Sequence, residues 1–184
     1  MSKRVVVIGV AGVLAVALVV GLALFQPWRL VTDRTADEAL LLPATTTVGS
    51  TTTAPATTTA PVTTTPAPPA GPVALASGPF RSLEHATTGS ATLVRLPDGG
   101  HAVQFEALDT SDGPDLYVYL SDKASDSPEA AFGSGFTNLG ELKANRGNQV
   151  YQVPAGTDLT AVRSVVIWCK RFSAGFAVAP LEQG

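Results

Sequence analysis

Residues 91–108 read ATLVRLPDGGHAVQFEAL, and this stretch decides the fold class. Its first part, 91–96, reads as a β-strand. Pro97-Asp98-Gly99-Gly100 is a turn, because Pro presets φ and Gly supplies positive φ. Residues 101–108 then alternate, with Val103, Phe105 and Ala107 on one face and Gln104 and Glu106 on the other. Working outward, 115–121 alternates again, Leu116, Val118 and Leu120 against Tyr117 and Tyr119. Residues 138–143 and 149–153 are shorter strand candidates around an Asn145-Arg146-Gly147-Asn148 turn. The most apolar candidate is 164–169, which predicts a central strand, and 176–179 is the last. No long 3.6-residue periodicity interrupts the series. Short strands at this spacing, separated by Gly, Pro, Asn and Asp, predict an all-β antiparallel sandwich or barrel-like domain over residues 73–184.

Two different stretches precede that domain. Residues 43–72 hold 12 Thr, 7 Pro and 6 Ala, with no charge and no aromatic. Such a composition cannot bury enough apolar surface to offset its ordering entropy, so 31–72 is expected to be a disordered linker. In extended polyproline form the tract reaches about 90 Å, at ~3.1 Å per residue. It is read either as an O-glycosylated stalk or as a plain spacer, holding the domain away from whatever precedes it. Residues 5–25, VVVIGVAGVLAVALVVGLALF, are apolar without interruption. As a helix they rise about 30 Å, the thickness of a bilayer core. They therefore predict a single-pass membrane anchor within a 1–30 unit. Lys3 and Arg4 favour the short N-terminus inside, with Trp28 at the interface and the β domain extracytoplasmic. A cleaved export signal is the alternative.

Charge and rare residues bound the chemistry. The chain nets −3, and residues 73–184, with 8 Lys/Arg and 12 Asp/Glu, net −4. A nucleic-acid footprint is excluded on that balance. Cys169 is the only cysteine, so no intrachain disulfide or Cys-rich zinc site exists. Strand alternation puts Val165, Ile167 and Cys169 on one face and Val166, Trp168 and Lys170 on the other. Cys169 reads either as a buried, inert thiol or as a reactive one. With His85 and His101 it forms a His-His-Cys set, the ligand types of a blue-copper site, while each His alone reads as a surface or hydrogen-bonded residue rather than a ligand. Asp109, Asp112 and Asp115 read as a Gly-Pro turn rather than a Ca²⁺ loop. No phosphate loop, nucleophile elbow or H-E-x-x-H motif is present, and an enzyme is not expected.

Several segments taken together resemble a known family. Gly78-Pro79-Phe80, His85 and Thr88-Gly89-Ser90-Ala91 are similar to the opening of the DM-thirteen domain. Residues 112–121, DGPDLYVYLS, resemble its central signature, as do Leu139-Gly140-Glu141-Leu142-Lys143, Asn145-Arg146-Gly147-Asn148-Gln149 and Tyr151-Gln152-Val153-Pro154. Residues 165–172, VVIWCKRF, match its cysteine-bearing strand. The resemblance covers residues 78–181. It implies a β-sandwich that occurs beside DOMON domains in animal cell-surface and cuticle proteins. It also implies a role in electron transfer, with the cysteine as a naked thiol or as ligand to a group such as haem. Cys169 takes that position, and His85, at another family position, is the second candidate. The 184 residues carry no cytochrome-like domain, so the expected partner is a separate redox or cell-envelope protein. The rival expectation is a non-redox binding or structural module of the envelope.

Overall fold

The computed structural model describes residues 3–30, 32–43 and 71–183. A helix, α1 (Lys3–Phe25), and a 3-10 turn (Pro27–Leu30) open the chain. Among the described residues eleven strands follow: β1 (Thr35–Asp37), β2 (Val73–Pro79), β3 (Arg81–Ser82), β4 (Thr88–Arg95), β5 (His101–Asp109), β6 (Leu116–Ser121), β7 (Phe136–Glu141), β8 (Arg146–Gln152), β9 (Ser164–Cys169), β10 (Ala174–Pro180) and β11 (Glu182–Gln183).

They form two sheets. One has the order β1-β8-β5-β4-β2-β11 and the other β3-β10-β9-β6-β7. Every pairing is antiparallel except β1 with β8, which is parallel. The main core lies between the inner faces. Leu93, Val103, Phe105, Leu116, Val118, Leu120, Val165, Ile167 and Cys169 meet there, each at most 5% exposed. The predicted alternation of β6 and β9 is what the register delivers, with Val118 opposite Ile167 and Leu116 opposite Cys169. Strand β9 is central, and all six of its residues are buried. Its outer face is covered too, because Val166 and Trp168 pack with Tyr119, Val178 and Phe132, the last from a 3-10 turn at Glu129–Gly133. A continuously apolar strand is explained by burial on both faces. The sheets close on each other where β2 meets β10, and Gly78 permits this: a Cβ there would strike the Pro180 carbonyl and ring.

Several expectations are corrected. The single-pass anchor, and the cell-membrane localisation and orientation drawn from it, do not stand: among the described residues no helix is long and apolar enough to cross a membrane. Residues 32–43, read as linker, are instead laid on the sheet through β1, while 44–70, read as disordered, lie outside the described residues. Of the expected turn at 145–148, residues 146–148 lie inside strand β8, where Gly147 keeps a positive φ of 94°. In β5 the alternation breaks at Ala107. That residue takes φ 49° and donates its N–H to Asn148 Oδ1, so Leu108 turns inward in its place.

Candidate functional site

Strand β9 ends at Cys169, and the chain turns back through 170–173 into β10. Ser173 makes the turn with φ 50°. On the neighbouring strand, loop 110–115 carries the chain from β5 to Leu116, the register partner of Cys169. The loop and turn are joined where the Lys170 N–H donates to the Asp115 carbonyl at 2.9 Å. The thiol therefore sits at one end of the sandwich, beneath two connections.

Cys169 is free and 0% exposed. Burial pushes its thiol above the ordinary range, since a thiolate there would lose its hydration. The backbone N–H groups of Phe172 and Arg171 oppose this by pointing at the sulfur, and the Arg171 charge also opposes it, while Asp115 adds to the rise. The ground state is thus the neutral thiol. The cover above it is thin, for residues 170–173 are all exposed, Phe172 by 54%.

The His85 ring stacks on Phe176 at 3.8 Å between centroids, and Phe176 belongs to the same core as Cys169. His101 begins β5, whose far end, Asp109, leads into loop 110–115. Eight residue steps of strand separate His101 from Asp109, about 26 Å at ~3.3 Å each. The His-His-Cys copper set is accordingly not assembled, and among the described residues no three His, Cys, Asp or Glu side chains could hold a metal ion. A haem held through Cys169 does not fit either, because the enclosed sulfur offers no open axial approach.

The acidic turn is occupied by arginines. Asp112, with its side chain 1% exposed, takes Arg34 through Nη2 at 2.8 Å and Nε at 3.2 Å. Asp109 accepts from Arg146 Nε at 3.1 Å. Behind them, Thr87 and Thr110 hydroxyls share a 2.7 Å hydrogen bond, and Asn145 Nδ2 donates to the Thr110 carbonyl. This network fixes the loop beside the thiol, as a turn and not as a cation site. The sequence reading placed Gln104 on the polar face of its strand and Asn145 in a turn, and gave neither of them, nor Arg34, a role here.

The family model for electron transfer DM13 matches residues 79–181, more than half of the chain. The chain belongs to the electron transfer DM13 family. Membership assigns the DM13 domain a redox-related role at that level of detail. No curated protein and no solved structure matches it.

Proposed function

We propose that the DM13 domain transfers electrons through Cys169 acting as a shielded thiol, exposed when the 170–173 turn opens. The observation that carries this reading is a buried sulfur beneath a four-residue exposed turn. The backbone N–H groups of Phe172 and Arg171 would stabilise a thiolate once water reaches it, and the Arg171 charge would add to that. With one cysteine, exchange is intermolecular. The Cys169 thiolate attacks a partner's disulfide, forming a mixed disulfide and expelling the partner's other sulfur as a thiolate. A second partner's thiol then attacks the Cys169 sulfur and releases the first partner reduced. The second partner's remaining thiol closes its own disulfide and frees Cys169. Two electrons pass from dithiol to disulfide, and the domain is restored as a carrier rather than an enzyme.

One observation favours a second reading, a non-redox binding module: Cys169 is packed among core side chains with no exposure. The test separates them. Full-length protein is incubated with glutathione disulfide under native conditions and followed by mass spectrometry beside Cys169→Ala. A single mixed disulfide that dithiothreitol reverses, absent from the variant, supports the carrier. No adduct in folded protein, with adduct formation after unfolding, supports the binding module.

A further inference from the structure

The segment ahead of the Thr/Pro tract is held on the domain by side chains that are themselves buried. Along it, Arg34, Ala36, Glu38 and Leu40 are half-buried while 35, 37 and 39 are exposed, the period of a strand with one face inward. Asp112 takes the Arg34 guanidinium bidentately. Asn145 Oδ1 accepts the Arg34 backbone N–H at 2.7 Å, and its Nδ2 donates to Asp33 at 3.0 Å. Thr35, Ala36 and Asp37 pair with Arg146, Gly147 and Asn148 along the β8 edge. Lys143 Nζ donates to Glu38, whose Oε2 also accepts the Val150 N–H at 2.8 Å. Gln104, 2% exposed, uses Oε1 to accept the N–H groups of Leu41 and Leu42 at 3.0 and 3.1 Å.

We infer that this edge of the sandwich is a strand-recognition groove whose occupant is the chain's own segment 33–42, docked as a detachable strap. Two buried polar groups demand an occupant. Without the strap, the Asp112 carboxylate loses its cation and Gln104 Oε1 loses both donors, each inside the protein. The edge of β8 would also lie open, as in folds that bind peptides by adding a strand. The chemistry read is an arginine, an acidic residue four positions on, and two backbone donors beyond it. The strap is built to release as well. No residue of it is fully buried, β1 has three residues, and its contacts are mainly polar, which sets its opening at the low end of local stability.

Hydrogen exchange of the full chain in mild detergent, read by mass spectrometry, tests this. Segment 33–42 is expected to be protected at least tenfold over unstructured peptide and at least tenfold less than β9. Gln104→Ala and Asp112→Asn should each lower strap protection at least fivefold with β9 unchanged. Arg34→Ala, which lies on the strap and leaves the groove intact, should do the same. Unstructured exchange rates in the parent chain would overturn the inference. So would loss of strap and β9 protection together, which would make the strap part of the core. Protection that rises with protein concentration would assign the groove to a second copy and overturn the intramolecular occupant.

Discussion

Replacing Cys169 by Ala and by Ser measures both how the thiol is packed and what points at it. The side chain is 0% exposed and faces Leu116 and Ala174 across its two neighbouring strands. Ala removes a group about the size of a methylene, worth ~0.8 kcal/mol in transfer, and leaves a cavity that adds a comparable amount. A loss of about 1.5 kcal/mol follows. Ser is smaller than Cys and brings a hydroxyl into an apolar core, which costs about 1–3 kcal/mol when unpaired. Here the N–H groups of Phe172 and Arg171, aimed at the sulfur, would donate to the new oxygen and hold the cost near the lower end. Ser and Ala should therefore agree within about 1 kcal/mol. Urea unfolding followed by far-UV circular dichroism measures both. A Ser penalty above about 3 kcal/mol would show that the N–H groups do not serve the site, and a change below about 0.3 kcal/mol in both would show that Cys169 lies outside the core.

Three further outcomes follow from the packing. Ile167→Ala should cost about 2–5 kcal/mol in the same assay, whereas Phe172→Ala, on the exposed turn, should stay within about 0.5 kcal/mol. Gly78→Ala should lower stability by about 1–3 kcal/mol, because its methyl meets backbone of β10 that has no room to retreat. The Glu38 carboxyl is held below its usual range, first by its hydrogen bond to Lys143. Its contribution is therefore complete above the unfolded value of about 4.3 and is lost as pH falls through the lower folded value. Exchange protection of 33–42 should decline as pH drops from about 5 to below 4, after correction for the intrinsic pH dependence of exchange, and Glu38→Gln should flatten that response.

The strands that the sequence disclosed are those whose partners enforce a period of two. Strand β9 was found with the bounds Ser164–Cys169, and the Pro-Asp-Gly-Gly turn located the β4–β5 connection. Strand β1 escaped because three residues carry little pattern and its partner lies more than a hundred residues away. Asn145-Arg146-Gly147-Asn148 has turn composition, yet Gly147 uses its positive φ within a strand pairing. Ala107 escaped because a bulge moves the pattern by one residue, and composition does not mark where. At the site, alternation assigned the face of Cys169 but not its depth, which depends on loops brought in from 110–115 and 170–173. Grouping His85, His101 and Cys169 by ligand type failed for a related reason: the two histidines belong to opposite ends of the sandwich.

The most direct test of a shielded but reachable thiol is the native labelling rate of Cys169 by iodoacetamide, measured from zero to moderate urea and compared with global unfolding. The account predicts labelling at least a hundredfold slower than in the unfolded chain, faster than global unfolding allows, and insensitive to low urea. A rate that tracks global unfolding at every urea concentration would contradict it, because the thiol would then never meet a partner in the folded domain.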